Sequence, residues 1–326
     1  MAASSDILRL VRKGIDVKKV HAHTRKPFRF YLCGDPALVA EMRAVLLSGH
    51  DESVPPDAAA CLETLHLYAP QPTLGAEAQL VLFMGRRGDA AGADMNLLGS
   101  LRLPILAVTV EEGAAPSGPA SAPARGTYAE YVVPSLTREA LRGRVLPHIV
   151  ECSKGVEIAV GRRLPVLREA VAAKLTRDAA GNALKIALAS AVVDHIPLVG
   201  LVMGVFASAG DMVAITGIQM MLLLQIEAAY GRDPDVQRLW QLLPVIGGGF
   251  GWRSLARELS GFIPIAGIAI KGAIAYAGTI VVGESVTFYY QQGRHMSATD
   301  ARALYESTKS EAMTFARDLL KRFMNR

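Results

Sequence analysis

Hydrophobic and polar residues alternate in two different ways along this chain, and the change comes near its middle. Before about residue 150, apolar runs of strand length are separated by segments with helical periodicity. Beyond it the apolar runs become long, and two of them, 196–226 and 262–283, carry one formal charge each. The pattern predicts an α/β domain followed by an all-α helical domain.

Five segments of the first half have the composition of strands. They cover residues 28–35, 62–69, 78–85, 103–110 and 127–134. The third and fourth are continuously apolar, as in a parallel sheet that is covered on both faces, whereas the second alternates like an edge strand. We therefore expect a small doubly wound parallel sheet, with Asp35 as N-cap of a helix that begins at Pro36.

The predicted domain boundaries follow from these patterns. Residues 1–27 contain an amphipathic helix, 28–150 form the α/β domain and 151–326 form the helical domain. Residues 111–126 are rich in Ala, Pro, Gly and Ser, which predicts a flexible loop without chemistry. Gly247, Gly248 and Gly249 follow a helical pattern, so we expect a hinge between helices there.

The two long apolar runs either enter a membrane or form the buried centre of a helical domain. Gly and Pro residues interrupt 196–226, which predicts two helices broken near Gly210 and Asp211, with Asp211 capping the second. The run 262–283 is the better candidate for a membrane span. Ala269, Ala273 and Ala277 recur every four residues in it, and a face of small residues permits close packing between helices.

Five polar residues stand inside the apolar segments. They are Asp194, His195, Asp211, Gln219 and Lys271. An Asp or Lys at the centre of a bilayer costs about 2.5–3.5 kcal/mol on insertion scales, so such residues need partners or a functional environment. A helix cap is the alternative explanation for Asp194 and Asp211, and we favour it over a transport role. Lys271 lies near the middle of its run and needs a partner.

The charge distribution indicates a membrane surface rather than a nucleic acid as partner. The formal net charge is +5, and the basic residues cluster beside the apolar runs without interrupting them. Aromatic residues make up only 6% of the chain, and no basic module interleaved with aromatics is present in the sequence. Cys33, Cys61 and Cys152 are isolated, which is typical of a reducing compartment. With no signal peptide recognised, we expect the N-terminal domain to be cytoplasmic.

The expected sheet invites a search for nucleotide motifs, and the required residues are missing. Gly34 and Asp35 stand where a phosphate-binding loop would begin, but no Gly-Lys-Ser/Thr follows them. No Lys occurs between Lys26 and Lys154, so none in this region could replace the phosphate-binding Lys. After the third predicted strand, residues 85–89 (GRRGD) offer no clear Walker-B element, and no Asn-Lys-x-Asp element follows the fourth. We predict at most a vestigial nucleotide loop at Gly34 and Asp35, with no catalytic residue, metal ligand or cofactor.

Several segments of the second half together resemble a recurrent bacterial pattern. They are GDM at 210–212, QMM at 219–221, IEAAYG at 226–231, LPVIGGGFG at 243–251, GFIP at 261–264 and KGAIAYAGT at 271–279. They resemble the YcjF-type domain, domain of unknown function 697, over roughly residues 160–290. The resemblance implies membrane association and an Era-like GTPase fold upstream, here with degenerate nucleotide motifs.

Three functional hypotheses remain open from the sequence. The leading one is a non-catalytic pseudo-GTPase scaffold or regulator at the bacterial cytoplasmic membrane, with its N-terminal domain in the cytoplasm. The second is an active but atypical GTPase in which Arg86 and Arg87 supply the missing cation. The third is a soluble helical interaction protein. Expected partners are membrane lipid and a protein partner or a second copy of the chain, but no nucleic acid.

Overall fold

The chain divides into two compact units. The computed structural model describes residues 16–49, 57–67, 74–87, 97–193, 200–235, 237 and 268–324. The α/β unit comprises His21–Lys174 and Ala228–Arg232; the helical unit comprises Met1–Val20, Leu175–Glu227 and Asp233–Arg326. The predicted domain boundaries at residues 27 and 150 stay predictions.

A parallel sheet forms the centre of the α/β unit. Its strands are β1 (Arg29–Gly34), β2 (Leu62–Thr64), β3 (Ala78–Arg86), β4 (Ile105–Val110) and β5 (Tyr128–Val133). The strand order is β2-β1-β3-β4-β5, and every neighbouring pair is parallel. The predicted parallel sheet is confirmed, and β2 lies at an edge as its alternation predicts. The side chains of β3 and β4 are buried almost throughout, which explains their continuously apolar sequences.

Short helices accompany the sheet. They are α1 (Val17–Thr24), α2 (Pro36–Leu47), α3 (Arg138–Arg142), α4 (Val145–Cys152) and α5 (Glu157–Arg163), with 3₁₀ turns at Ala59–Cys61 and Pro165–Leu167. α5 ends at Arg163, two residues before Pro165, because a Pro disfavours the helical conformation in the residue that precedes it. Pro147 lies in the first turn of α4, where its missing N–H leaves no hydrogen bond unmade. Most of the predicted N-terminal helix lies outside the described residues.

The loop over residues 111–126 runs beside the edge strand β5. Ser117 and Val132 form an antiparallel bridge, with N–H···O distances of 2.9 and 3.1 Å. Arg144, which precedes α4, donates to the carbonyl oxygens of Gly118 and Pro119. The loop that we expected to be flexible is therefore attached to the sheet, and it covers part of an edge that would otherwise offer unpaired backbone groups.

The second half of the chain is helical, as predicted. Its helices are α6 (Arg168–Val193), α7 (Gly200–Ala229), α8 (Ile268–Gln292) and α9 (Ala298–Met324). Ala301 and Tyr305 of α9 are buried, and Leu304 packs against the same cluster. Ser297 Oγ accepts from the backbone N–H of Asp300 and so caps the start of this helix.

The predicted helix break at Gly210 and Asp211 is wrong. Both residues lie inside α7, which continues for 30 residues, so Asp211 does not cap a helix. An interior Gly costs a helix only about 1 kcal/mol, and α7 contains no Pro that would remove a backbone hydrogen bond. Burial of Ile215, Leu222 and Leu223 offsets that cost several times over.

Small residues bring α6, α7 and α8 close together. Ala183 and Ala187 of α6 pack with Ile215 of α7 and Ala275 of α8 in one buried cluster. A Cβ at Gly272 would lie 2.7 Å from a methyl carbon of Leu184. Gly272 and Ala275 carry this close approach, whereas Ala277 of the predicted alanine face packs with Ala301 and Tyr305 of α9.

Among the helices that the structure describes, none combines the length and the apolar composition that crossing a membrane requires. Residues 262–267, where the predicted span begins, lie outside the described residues, and the remainder of that run belongs to α8.

Gly283 gives a direct test of the α6–α8 packing. A Cβ at this position would lie 2.2 Å from Oγ1 and 2.5 Å from Cγ2 of Thr176, a β-branched side chain with little rotamer freedom in a helix. Gly283→Ala should lower the free energy of unfolding by about 1–3 kcal/mol, measured by urea denaturation of the full chain.

Gly217→Ala is the matched control, since it adds the same methyl group to the interior of α7. No atom outside the local helix lies within 4 Å of that Cβ, so the variant should be more stable by about 0.5–1 kcal/mol. Equal effects of the two substitutions would contradict the close approach at Gly283.

Candidate functional site

The carboxyl ends of the strands form the first candidate ligand site. In open parallel sheets, ligands bind outside these ends where the strand order reverses. In this sheet the order reverses at β1, whose neighbours are β2 and β3. Gly34 and Asp35, the residues predicted as a vestigial nucleotide loop, follow β1 directly.

The chain turns tightly between β1 and α2. Gly34 has a φ of +110°, and a Cβ there would lie 1.9 Å from the carbonyl oxygen of Met84 on β3. The same carbonyl accepts a 2.9 Å hydrogen bond from the backbone N–H of Asp35. Only Asp35 separates strand from helix, so no extended loop is present to surround a phosphate.

The N-terminus of α2 is already occupied by an anion of the chain itself. One carboxylate oxygen of Asp35 accepts from the backbone N–H groups of Ala37 and Leu38, at 2.9 and 3.0 Å. Pro36, at the first helical position, has no N–H to offer. The N–H groups that bind phosphate in nucleotide-binding helices are therefore used by the Asp35 cap, which the sequence predicts.

Arg86 ends β3 and Arg87 follows it, and Arg87 contacts a residue that follows the neighbouring strand. Arg87 pairs with Glu111, which follows β4, and the side chain of Arg87 is 77% exposed. The backbone N–H of Glu111 donates to the carbonyl oxygen of Val133 at the end of β5. These contacts join three neighbouring strand ends, and an exposed ion pair of this kind contributes little to stability.

The second candidate site lies in the interior of the helical unit. Gln219 of α7 is 1% exposed, and its side-chain amide donates to Oγ1 of Thr279 on α8 at 3.1 Å. Thr279 in turn donates to the carbonyl oxygen of Ala275 at 2.8 Å. Within the described part of the chain, Oε1 of Gln219 and Oγ1 of Thr176 are buried without a hydrogen-bond partner. An unpartnered buried polar atom costs about 1–3 kcal/mol, so the sequence retains these groups at the expense of stability.

Of the other residues predicted in apolar segments, the structure describes the helix positions of Asp211 and Lys271. Asp211 lies in the interior of α7, and Lys271 is a half-buried residue near the start of α8. Asp194, His195 and the run Gly247, Gly248 and Gly249 lie outside the described residues. Of the five polar residues singled out in apolar segments, Gln219 alone has described side-chain contacts that specify a buried polar site.

Sequence reasoning missed a polar cluster beneath the 111–126 loop. The hydroxyl of Tyr131 lies 2.7 Å from Nδ1 of buried His148, and Cys152 follows His148 by one helical turn. Burial, reinforced by the charge of Glu151, raises the pKa of the Cys152 thiol to about 12. The thiol is therefore protonated at neutral pH and is a poor nucleophile. The sequence shows that His148 and Cys152 are four residues apart in a helical segment, but only the fold places Tyr131 beside His148.

Neither a metal site in the described residues nor a related protein indicates a function for these sites. In the described ranges, no group of three or more His, Cys, Asp or Glu side chains could hold a metal ion. Comparison of the chain with protein-family models, curated proteins and solved structures finds no match. The YcjF-type resemblance therefore stays a prediction that depends on the residues quoted for it.

The Asp35 cap can be tested by its contribution to stability. Asp35→Ala removes the acceptor for two backbone N–H groups and should lower the free energy of unfolding by about 1 kcal/mol, within a range of about 0.5–2. Asp35→Asn keeps an acceptor oxygen and should stay close to the wild type. Urea unfolding of the three proteins makes the comparison, and an Asn variant as unstable as the Ala variant would contradict the cap.

The buried amide of Gln219 gives a second test. Gln219→Leu removes an unpartnered oxygen at similar volume, and Thr279 keeps its bond to Ala275, so we expect stability that is unchanged or higher. Gln219→Ala leaves a cavity and should cost about 2–4 kcal/mol. The free energies of unfolding of both variants are compared with that of the wild type. A loss above about 2 kcal/mol for the Leu variant would contradict this expectation and show that the amide is net stabilising.

Proposed function

We propose that this chain is a non-catalytic, membrane-associated scaffold or regulatory protein, with a GTPase-like α/β domain that has lost phosphate binding. The observation that carries the proposal is the closed junction after β1. There Gly34 lies against the backbone of Met84, and the carboxylate of Asp35 takes the helix N–H groups that a phosphate would need.

The sheet supports the GTPase-like part of the proposal. The order β2-β1-β3-β4-β5 is a common order of doubly wound sheets, a class that binds phosphate-containing cofactors at the point where the order reverses. A sheet of this class without a phosphate loop at that point agrees with a degenerate nucleotide-binding fold. The proposal therefore assigns the α/β domain a binding or positioning role and no hydrolysis.

The charge and hydropathy pattern supports the membrane part. Apolar runs flanked by Lys and Arg are what the anionic cytoplasmic leaflet attracts, and the YcjF-type resemblance implies membrane association. Lys18 and Lys19 on α1 are exposed and available to such a surface. We propose the cytoplasmic membrane of a bacterium as the location, with the α/β domain on its cytoplasmic side.

A second candidate function is a helical interaction protein that stays free of membranes. The observation that favours it is the mutual burial of apolar residues in α6, α7 and α8, among them Ala183, Ile215 and Ala275. Helices that bury one another in this way have less apolar surface to offer to lipid. Fractionation separates this candidate from the first.

Cell fractionation of the full chain tests the membrane part of the proposal. After lysis without detergent, the protein should sediment with membranes, and an alkaline carbonate wash then distinguishes insertion from surface attachment. Recovery of the native protein in the detergent-free supernatant would contradict the first function and favour the second.

Calorimetry tests the absence of nucleotide binding. Titration of GTP with Mg²⁺ into the full chain should give no saturable heat, because the α2 N-terminus is occupied. Tight, Mg²⁺-dependent binding would overturn the pseudo-GTPase assignment. Phosphate release that is lost on Arg86→Ala would support an atypical GTPase instead.

A further inference from the structure

The turn between α8 and α9 holds a cluster that neither the fold nor the proposed function uses. We call it the aromatic–cationic turn and define it by five residues, Phe288, Tyr289, Tyr290, Arg294 and His295. The chain reverses at Gly293, whose φ is +65°, and its backbone N–H donates to the carbonyl of Tyr289 at 2.9 Å. This reversal returns the two basic residues to the rings that precede them.

Ring contacts fix the positions of both basic side chains. The guanidinium of Arg294 lies over the face of Phe288, 4.9 Å from the ring centroid. The His295 ring stacks on Tyr289 at 5.2 Å with an interplanar angle of 10°, and Tyr289 contacts Tyr290 edge-on at 5.5 Å. Met296, the next residue, packs in the hydrophobic cluster between α8 and α9, and this contact attaches the end of the turn to both helices.

Neither Arg294 nor His295 has a carboxylate partner within the part of the chain that the structure describes. Arg294 and His295 are exposed, and ring faces are the contacts that position them. A guanidinium that stacks on a ring keeps its N–H edge free, and that edge matches the oxygens of a phosphate. The turn therefore presents an ordered anion-binding edge to solvent.

The aromatic residues indicate which kind of phosphate fits. Phe288 and Tyr289 lie against Arg294 and His295, Tyr290 packs edge-on against Tyr289, and all three residues are half-buried. Tyr rings beside basic groups are typical of the membrane–water interface, where the ring meets the acyl boundary and the cation meets the headgroup. A nucleic acid would require several cations along one face to neutralise successive phosphates, and this turn supplies only Arg294 and His295.

We propose that the aromatic–cationic turn is a contact of the helical unit with the phosphate headgroups of an anionic bilayer. Arg294 and His295 bind the phosphate oxygens, and the rings of Tyr289 and Tyr290 lie at the level of the headgroups. This inference rests on the proposed membrane association and specifies one surface through which it occurs.

Vesicle sedimentation with the purified full chain tests the proposal. The probes are vesicles of phosphatidylcholine alone and vesicles with about one third phosphatidylglycerol, at about 0.15 M salt so that distant charges are screened. The double variant Arg294→Gln with His295→Gln should lose about five- to tenfold in partition coefficient on the anionic vesicles. Unchanged circular dichroism and thermal midpoint would show that the variant is folded.

The control removes at least as much positive charge elsewhere on the same pair of helices. Arg302 and Arg317 are exposed residues of α9, and Arg302→Gln with Arg317→Gln should change the partition coefficient by less than about twofold. Equal losses in the two double variants would mean that net charge alone drives binding and would overturn the assignment to this turn.

A third variant tests the aromatic component. Tyr290→Ala keeps both cations and should weaken binding to anionic vesicles about threefold or more, since it removes a ring from the interface. Wild-type binding with no loss in the turn variants would overturn this inference alone. Failure of the wild type to bind anionic vesicles at all would overturn it together with the proposed membrane association.

Discussion

The carboxylate of Asp35 accepts hydrogen bonds from the first free N–H groups of α2. In our account, this interaction decides whether the α/β unit can bind a phosphate at that position. A helix that starts at the switch point of a parallel sheet is a natural phosphate site because its N-terminal N–H groups are unpaired. Here an internal anion satisfies them, and Gly34 permits so close an approach to Met84 that no loop intervenes. One residue therefore serves as helix cap and, in our account, as permanent replacement for a phosphate.

In the helical unit, helices that pack very closely also bury polar side chains between them. Gly272 and Gly283 let α8 approach α6 so closely that side chains of Leu184 and Thr176 occupy the space of the missing Cβ atoms. Buried polar groups between these helices find partners on the neighbouring helix, as Gln219 finds Thr279, or on their own backbone, as Thr279 finds Ala275. Groups left without a partner cost stability, which is acceptable where they fix the register of the helices or serve a function.

The sequence predicted the local features well, because each depends on a few neighbouring residues. The strands and the cap at Asp35 follow from periodicity and capping chemistry. The break at Asp211 failed, since whether a Gly interrupts a helix depends on burial along the whole of α7. The contact of Gly34 with Met84 and the bond between Tyr131 and His148 join distant segments, so no local pattern could reveal them.

The most direct measurement of the central claim is the response of two backbone amides to nucleotide. In ¹⁵N NMR spectra of the full chain, the N–H signals of Ala37 and Leu38 report on the group that occupies the start of α2. Our account predicts that neither signal shifts when GTP and Mg²⁺ are added in excess, because the Asp35 carboxylate keeps both hydrogen bonds. A saturable shift of these two amides would show that a phosphate can displace the carboxylate, and it would contradict the account.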